Sequence, residues 1–250
     1  MLQLHQDSSF QSCRLITSLA RSQAEVEEAQ RLRYKVFAEE MGAHLPGAEN
    51  GLDKDIYDPH CDHLIVRDGD TQKVVGTYRI LPPERAMRVG SFYSETEFDL
   101  DRLAHLRGRI VEVGRSCVHP DYRNGAAITH LWSGLASYML RYGYDYLIGC
   151  ASIGMGDGGH YAASVFRTIY QQHAAPVEYR VFAHNPLPLA ALNSSLEVDI
   201  PPLIKGYLRL GAYIGGEPAW DPDFNTADVF VFLPVSRMNP RYARRFMQQE

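Results

Sequence analysis

The sequence predicts a single α+β or α/β domain spanning residues 1–250, in which helices pack on a mixed β-sheet. Strand-like and helix-like segments alternate irregularly, and some neighbouring strands lie close enough in sequence to form hairpins. No repeat, low-complexity tract or linker divides the chain. A chain of this length can bury a sizeable core and fits one large domain about as well as two small ones, so the single-domain expectation depends on the absence of a boundary.

In the first half of the chain, hydrophobic patterns, capping signals and prolines mark the predicted elements. A Ser-x-x-Glu capping box at residues 22–25 begins the first helix. The pair Pro82 and Pro83 ends the second strand of a hairpin because proline donates no ladder hydrogen bond. The predicted elements are a strand at 13–20, a helix from Ser22 to near Gly42, hairpin strands at 63–67 and 74–81, and a short helix within 94–107.

The segment 108–132, GRIVEVGRSCVHPDYRNGAAITHLW, predicts a buried strand, a glycine-containing turn and an amphipathic helix. Its first half is rich in strand-forming residues, whereas Ile128, Leu131 and Leu135 recur at helical spacing. A strand that leads directly into an open helix N-terminus forms a site for an anion or a thioester. We therefore expect the functional site at this junction.

In the second half of the chain, the same patterns predict the remaining elements. Proline and glycine are frequent between residues 186 and 226, which we expect to form a loop and helix insertion near the active site. The other predicted elements are a core strand at 146–151, a helix at 160–172, and strands near 179–184 and 229–235.

Two charges interrupt the apolar strand of the segment 108–132. Burying Glu112 and Arg115 without partners would be costly, so a purely structural strand would avoid them. Residues three apart point to opposite faces of a regular strand, and both side chains reach one cleft only if a bulge intervenes. Such a bulge would separate the strand from its neighbour and free a backbone N–H for a thioester carbonyl. A structural Glu–Arg network at the sheet edge is the alternative interpretation.

An acidic cluster and two arginines accompany this strand. Arg33 shares a helix face with Phe37, and Arg79 lies in an apolar strand, so both arginines are expected to reach carboxylates. The acids could bind an ammonium group, although a solvated loop is the competing interpretation. Histidines and a cysteine in the same stretch match no zinc spacing, and we expect no metal site. The clustered acids are Asp53, Asp55, Asp58 and Asp62.

The composition argues against some functions. With 25 Lys and Arg against 30 Asp and Glu, the net charge is -5, which disfavours a protein that binds nucleic acid through a pervasive positive field. Four dispersed cysteines favour a reduced, cytoplasmic environment. No apolar run approaches the roughly 18 residues of a membrane span, so any contact with the inner face of the membrane would be peripheral.

Seven dispersed residues form a motif that is more specific than any one of them. They are Arg33 and Phe37 in R-x-x-x-F, Asp55 and Asp58 in D-x-x-D, Arg79 in VVGTYRIL, and Glu112 and Arg115 in E-x-x-R. With this motif, the chain resembles the GNAT-like N-acyltransferases, in the branch that contains acyl-homoserine-lactone synthases, N-acyl amino acid synthases and ornithine N-acyltransferases. The resemblance extends from about Ser22 to Arg245, and residues 201–234 resemble the ornithine N-acyltransferase branch, often labelled haemolysin-like.

The resemblance implies a fold and a reaction. The fold would be an α/β/α sandwich whose mixed, mostly antiparallel sheet has a splayed central strand pair. The reaction would move a fatty or 3-hydroxyacyl chain from acyl carrier protein to the α-amine of ornithine, the first step toward ornithine lipids. Glu112 is expected to accept the amine proton, and Asp55 and Asp58 to hold the cationic groups of the amino acid. Arg79 and Arg115 would orient these acids or bind the substrate carboxylate.

The resemblance also implies where the substrates lie. Arg33, Phe37, Cys117 and Val118 would form the substrate site, the last two on the strand that supplies a backbone donor. A loop would receive the phosphate of the donor's phosphopantetheine. This loop is about one residue shorter than in coenzyme A users, which favours an arm on a carrier protein. The loop residues are Arg123, Asn124, Gly125, Ala126 and Ala127.

Acyl carrier protein is thus the expected partner, its acyl-phosphopantetheine is a co-substrate, and no cofactor is expected to remain bound. Because the carrier is acidic, exposed arginines could form its docking surface. The alternatives are an N-acyl amino acid or acyl-homoserine-lactone-type synthase, a coenzyme A-dependent acyltransferase for another amine, and a membrane-active binding protein suggested by the basic, aromatic residues 241–247. The candidate docking residues are Arg85, Arg88, Arg102, Arg107, Arg109, Arg241, Arg244 and Arg245.

Overall fold

The computed structural model describes residues 14–45 and 48–238, which fold into one large sheet with helices on both faces. The strands are β1 (Leu15–Leu19), β2 (Asp62–Asp68), β3 (Val74–Leu81), β4 (Phe98–Asp99), β5 (Ile110–Val118), β6 (Tyr146–Gly154), β7 (Phe182–Ala183), β8 (Tyr213–Ile214), β9 (Ala219–Asp221) and β10 (Thr226–Pro234). The helices are α1 (Gln23–Tyr34), α2 (Pro83–Val89), α3 (Ala126–Tyr142), α4 (His160–His173) and α5 (Pro202–Leu210).

The large sheet is mixed and mostly antiparallel, as expected. Its strand order is β1-β2-β3-β5-β6-β10-β8, and β9 also pairs with β10. Within the described residues, β5 and β6 form the parallel pair of this sheet, whereas its other pairs are antiparallel. The strands β4 and β7 form a separate two-stranded sheet. Hairpin pairing of β2 with β3 confirms the prediction for residues 63–81.

The central pair β5 and β6 separates shortly after it begins. Its parallel register covers residues 110–112 and 146–148, and the later halves of the two strands diverge. Gly149 lies at the first diverging position, where a Cβ atom would stand 2.3 Å from the backbone oxygen of Val113. Only glycine tolerates such close backbone approach. The predicted splayed strand pair is therefore confirmed.

On its other side, β5 carries a bulge. Thr77 pairs with Cys117 and Arg79 with Gly114, so three steps along β5 match two along β3. Arg115 has a φ of 50°, in the left-handed region that non-glycine residues seldom adopt. The bulge that the sequence required is thus present at residues 115–116, and Glu112 and Arg115 line the same cavity.

The helices form two layers around the sheet. Leu64 of β2 belongs to a cluster with Leu131 of α3, and this cluster also includes residues of α4 and α5. The next residue of β2, Ile65, clusters instead with Leu32 of α1. Because successive strand residues face opposite sides, α1 lies on the face opposite α3, α4 and α5. The expected α/β/α sandwich is confirmed.

Several element boundaries differ from the sequence-based expectation. Ser22 caps α1 by accepting from the Glu25 N–H, and the helix continues after Tyr34 as a π-helical turn over Lys35–Glu40. Pro83 was expected only to end a strand, but it also begins α2, where its missing N–H costs nothing. The short helix expected within 94–107 is replaced by 3-10 turns at Tyr93–Thr96 and Asp101–Arg109. Cys13, at the start of the first predicted strand, lies outside the described residues.

The segment 186–226 contains α5, β8 and β9. Both strands hydrogen-bond to β10, so the segment extends the edge of the large sheet. In the portion of the chain that the structure describes, no helix combines the length and the apolar character that crossing a bilayer requires.

Candidate active site

Two cavities adjoin at the gap between β5 and β6. The larger has a volume of about 720 Å³ and the smaller of about 440 Å³. Val113 and Leu147 have side chains on the α3 side of the sheet, and both line the larger cavity. Glu112 and Asp228 alternate with residues of that side, so they point to the opposite face, yet they line the same cavity. This cavity therefore passes through the sheet. Residues that line both cavities mark where they meet: Tyr57, Tyr93, Arg115, Asp221 and Phe224.

Arg33 is the centre of a buried ion-pair network. The residue is 0% exposed on α1. Its Nη1 and Nη2 atoms donate to Oδ1 and Oδ2 of Asp58 at 2.9 and 3.1 Å, and its Nε donates to Oδ2 of Asp53 at 2.8 Å. Losing one partner of a buried ion pair costs about 3–5 kcal/mol. Arg33 therefore fixes the acidic loop against α1, and it reaches carboxylates as the sequence indicated.

Arg79 joins the network from β3. Its Nη1 donates to both carboxylate oxygens of Asp55, at 2.7 Å each, and to Oδ2 of Asp58 at 3.1 Å. The residue is 4% exposed, and its guanidinium lies 5.8 Å from the ring centroids of Tyr57 and Tyr93. The acids of the 53–58 loop raise the pKa of Arg79 despite its burial. The guanidinium is thus held charged and fixed beside the cavity.

Arg115 makes longer contacts than the other two arginines. Its Nε and Nη2 atoms lie 3.4 and 3.5 Å from Oδ2 of Asp53 and Asp55. The guanidinium is packed between the rings of Tyr93 and Phe224, 5.1 and 4.7 Å from their centroids. The buried Nε has no hydrogen-bond partner. Of the three arginines, Arg115 is therefore best placed to receive an anion from the cavity.

The carboxylate of Asp58 is fully occupied. Its Oδ1 accepts from Arg33 and from Nε2 of Gln30, and its Oδ2 accepts from Arg33, Arg79 and the backbone N–H of Asp55. Burial alone would raise the pKa of Asp58, but the charges of Arg33 and Arg79 and these hydrogen bonds outweigh burial and hold the pKa far below its ordinary range. Asp58 is thus an ionised anchor for two arginines.

Glu112 faces the larger cavity and also supports a neighbouring turn. It is 4% exposed, and its Oε1 accepts from the N–H of Ser94 at 2.7 Å and from the Ser94 hydroxyl. Its Oε2 accepts from the N–H of Tyr93 at 2.6 Å. Burial raises the pKa of Glu112, whereas the hydrogen bonds from Ser94 and Tyr93 limit that rise. Glu112 and Arg115 form no ion pair with each other, although both line the cavity.

Of the expected substrate residues, Arg33 lines neither cavity because it is fully buried in the ion-pair network, whereas the other three line the larger cavity. Phe37, Cys117 and Val118 all contribute to its wall. Phe37 packs edge-on against Phe224, with ring centroids 6.0 Å apart. Burial raises the pKa of the Cys117 thiol to about 12, so this cysteine stays protonated and acts as a packing residue.

Only part of the expected phosphate loop reaches the cavity. Arg123 and Gly125 line it, and Gly125 precedes the first residue of α3. Asn124 points back to cap the helix, because its Oδ1 accepts from the N–H of Ala126 at 3.0 Å. Ala127 is 0% exposed and packs into the core. Asn124, Ala126 and Ala127 do not belong to the cavity wall.

Several residues at the site were not singled out from the sequence. Tyr93 and Ser94 hold Glu112, and no strong sequence signal marks them. Glu97, Cys150 and Asp228 place a carboxylate oxygen or sulfur atom each within 4.8 Å of one another. A signal for Asp228 existed, because it is a charge within an apolar strand, as Glu112 is.

Most of the arginines expected at a docking surface lie elsewhere. Arg85, Arg107 and Arg109 form ion pairs with Asp62, Glu95 and Asp145. None of the described members of that set lines either cavity, and 241–245 lie outside the described residues. The basic residue on α5 that does line the larger cavity is Arg209.

Comparisons with known proteins agree with this architecture. Residues 32–133 match the acetyltransferase (GNAT) domain family. The solved structures of the acyl-homoserine lactone synthase LasI and of BjaI, a CoA-dependent acyl-homoserine lactone synthase, both superpose with a TM-score of 0.53, at 13% and 18% identity. These two likenesses cover 90% and 91% of this chain and 91% and 84% of the two structures. At such low identity they support the fold alone.

Two curated relatives are much closer in sequence. The L-ornithine N(alpha)-acyltransferase of Agrobacterium fabrum (strain C58) is 42% identical over 246 residues, covering 91% of this chain and 83% of that protein. The protein of the same name from Brucella abortus (strain 2308) is 39% identical over 243 residues, covering 90% of this chain and 85% of that protein. At this identity over most of its length, the chain belongs to the L-ornithine N(alpha)-acyltransferase family of GNAT-like acyltransferases.

Proposed function

We propose that this protein transfers a fatty acyl or 3-hydroxyacyl chain from the thioester of acyl carrier protein to the α-amine of ornithine. The observation that carries the proposal is the cavity that passes through the sheet at the β5–β6 gap. One end is apolar, and the other meets the acids and arginines of the second cavity. The names of the relatives support ornithine as acceptor. A thioester and an amine could therefore meet at the gap.

The acyl donor enters on the α3 and α5 side in this proposal. Ile128, Trp132 and Leu203 line that end of the larger cavity and suit a fatty chain. Gly125 at the start of α3 would face the donor's phosphate, since helix N-termini favour anions. Arg123 lies beside it but already bonds Glu40, with Nη2 donating to Oε2 at 2.8 Å. The pantetheine arm would then follow the separated edge of β5.

The amino acid acceptor occupies the smaller cavity in this proposal. Its carboxylate would meet Arg115, whose Nε lacks a hydrogen-bond partner and which lines both cavities. Asp58 acts as a positioning residue, because its contacts with Arg33 and Arg79 leave its carboxylate no room for a substrate ammonium. Arg79 also acts as a positioning residue, because its guanidinium is bound to Asp55 and Asp58. Asp55, with 24% of its side chain exposed, remains near enough to the cavity to contact the acceptor.

Glu112 accepts the proton of the acceptor amine in the proposed mechanism. The neutral amine attacks the thioester carbonyl carbon, a C–N bond forms and the C–S bond breaks, so the products are an amide and a thiol. Burial raises the pKa of Glu112, which makes its carboxylate a better base than an ordinary glutamate. Oε2 accepts a single hydrogen bond, from Tyr93, and so retains capacity for the proton.

The leaving thiolate needs a proton, and a tyrosine pair on the donor side is placed to supply it. Tyr78 and Tyr207 line the larger cavity and hydrogen-bond to each other through their hydroxyls. Burial raises the pKa of Tyr78 to about 12, so it is protonated at neutral pH. The titratable residues His160, Tyr161 and Tyr170 of α4 line neither cavity.

The decisive experiment compares donors and acceptors with the purified protein. Matched acyl-carrier and acyl-coenzyme A thioesters of one chain would be incubated with ornithine, and the amide product measured by mass spectrometry. We expect N(alpha)-acylornithine, the lyso-ornithine lipid, with the carrier thioester preferred. Equal or better rates with coenzyme A would contradict the carrier assignment, and absence of acylornithine with both donors would contradict the proposed function. Because this product is amphiphilic, the proposal also places its release at the inner face of the membrane.

A further inference from the structure

A pair of buried carboxylates lies beside the gap without a cation. Glu97 follows the Tyr93–Thr96 turn, and Asp228 lies on β10. Asp228 is 4% exposed, and its Oδ1 accepts from the Thr226 hydroxyl at 2.8 Å. Both carboxylate oxygens of Glu97 are buried, and neither accepts a hydrogen bond of normal geometry, although the Tyr93 hydroxyl and the Cys150 thiol lie beside them. Within the described part of the chain, neither acid forms an ion pair, in contrast to the acids of the 53–58 loop.

The pair stands where a substrate would pass. Asp228 lines the larger cavity and Glu97 lines the smaller one, and Tyr93 and Arg115 line both. A third acid, Asp221 on β9, also lines both cavities. The smaller, acceptor cavity is thus lined by a guanidinium from β5 and by acids from β9 and from the turn before β4, while Asp228 of β10 lines the larger cavity that adjoins it.

Two carboxylates this close together require a proton or a cation between them. Burial and the neighbouring charge of Asp228 raise the pKa of Glu97 to about 9, and burial raises that of Asp228 to about 6. The other ionisable groups facing the pair are Tyr93, Cys150 on β6, Asp221 on β9 and Arg115 on β5. In the free protein the pair holds a proton, which a bound cation would displace.

We propose that Glu97 and Asp228 bind the side-chain ammonium of the acceptor, so that the enzyme selects an amino acid with a second amine. This inference rests on the proposed function and adds the residues that determine its specificity. The carboxylate of the acceptor meets Arg115 and its δ-ammonium meets the acid pair, which leaves the α-amine toward the thioester. A primary ammonium has three N–H donors, and the Glu97 oxygens and Asp228 provide acceptors for them.

The chemistry of the pair favours an ammonium over a metal ion. Cys150 is the third group of the cluster, and its Sγ donates to the Ser94 hydroxyl oxygen at 3.4 Å. Burial raises the pKa of Cys150 well above its ordinary value, so it remains a thiol, whereas metal ligation needs a thiolate. Two carboxylates without further ligands suit an ammonium better than a metal ion.

The test compares two acceptors in wild-type protein and in two variants. Ornithine and norvaline share one carbon chain, but norvaline lacks the δ-amine. We expect wild-type kcat/KM to favour ornithine strongly, and Glu97→Gln and Asp228→Asn each to lower the ornithine-to-norvaline ratio by about 10- to 100-fold. The rate with norvaline should change little. Exposed Glu178 lines neither cavity, so Glu178→Gln is the matched control and should keep the wild-type ratio.

Each result separates the subsite from the proposed function. Variants that acylate ornithine with an unchanged ratio would overturn the subsite and leave the proposed function intact. Wild-type protein that acylates neither amino acid would overturn both. The melting temperature shows whether a loss of activity comes from misfolding. At pH 8, Glu97→Gln should melt at or above the wild-type temperature, because the variant lacks a buried acid that forms no ion pair. Binding of ornithine by calorimetry should weaken in the variants to the same extent as kcat/KM.

Discussion

Glu112 combines two functions in one buried position. Its carboxylate satisfies the N–H groups that begin the Tyr93–Thr96 turn, and it lines the cavity where the proposed mechanism requires an amine to lose a proton. The three hydrogen bonds from the turn fix the direction of the Glu112 carboxylate, so the contact with the turn also orients the proposed base. A substitution at Glu112 therefore changes both the turn and the chemistry, and the pH profile is needed to separate them.

We predict that Glu112→Gln lowers kcat/KM by about 10²- to 10⁴-fold. The carboxylate must be ionised to accept a proton, and burial raises its pKa above the ordinary 4.5. The wild-type rate should therefore fall as pH drops through a value above 4.5, and this acid limb should be missing in Glu112→Gln. Measuring kcat/KM against pH tests this directly.

Ser94→Ala is the control for the glutamine variant. It removes the hydroxyl bond to Glu112 but keeps the carboxylate and the backbone bonds. That hydroxyl lowers the pKa of Glu112, so its loss should move the acid limb to higher pH without abolishing it. An acid limb that persists unchanged in Glu112→Gln would exclude Glu112 as the base.

The sequence identified charged residues best where they interrupted an apolar pattern. Arg79, Glu112 and Arg115 were found by that rule, and the structure brings the two arginines to the acidic loop. Asp228 obeys the same rule within β10 and was overlooked, because no partner charge stands near it in sequence. Its neighbour Glu97 lies 131 positions away in an irregular turn, a proximity that only the tertiary fold creates.

At the scale of elements, β5 contains the two irregularities of the sheet that shape the site. Its bulge against β3 turns Arg115, and its separation from β6 opens the gap. The charge spacing of Glu112 and Arg115 predicted the bulge. The register at which β5 and β6 separate could not be predicted, because it depends on Gly149 approaching the backbone of Val113 across the sheet.

The contact of α5 with α3 sets one wall of the acyl end of the cavity. A Cβ atom at Gly206 would stand 1.8 Å from Cη2 of Trp132, and both residues line the larger cavity. Gly206→Ala must therefore displace Trp132. We predict that the variant loses kcat/KM for long-chain donors by about tenfold or more while short-chain donors are affected less.

The measurement for α5 is the chain-length profile with donors of graded length. Gly108→Ala is the matched control, because a Cβ atom there has open space and Gly108 lines neither cavity. The control should keep the wild-type profile. An unchanged profile in Gly206→Ala would show that Trp132 does not limit the acyl chain.

At the scale of the whole molecule, net charge opposes the proposed partner. The chain carries -5, so an acidic carrier must approach a local basic surface. Lys205 and Arg209 are exposed on α5, and Arg209 lines the larger cavity. The arginines that the sequence offered are mostly paired with acids or distant from the cavity mouth, because their pairing depends on contacts between segments far apart in the chain.

We predict that the double variant Lys205→Glu, Arg209→Glu raises KM for the carrier thioester by about tenfold and weakens its salt dependence. The rate with a small acyl-pantetheine thioester should stay near wild type, since no protein docks in that assay. Arg88→Glu is the control, because Arg88 is exposed and lines neither cavity. Equal effects of both variants would point to a diffuse charge effect instead of a dock on α5.

The short pairing of β5 with β6 has a consequence for the cohesion of the molecule. The gap between β5 and β6 divides the large sheet into two halves. One half contains β1, β2, β3 and β5, and α3 packs on the first three of these strands. The other half contains β6, β10 and β8 together with α4 and α5. Within the sheet these halves join through residues 110–112 and 146–148. A thioester seated in the gap would touch both halves and act as a clasp, adding about 2.7 kcal/mol to their association when its concentration is a hundred times its Kd. The bound substrate would then stabilise the joined arrangement of the two halves, on which its own reaction depends.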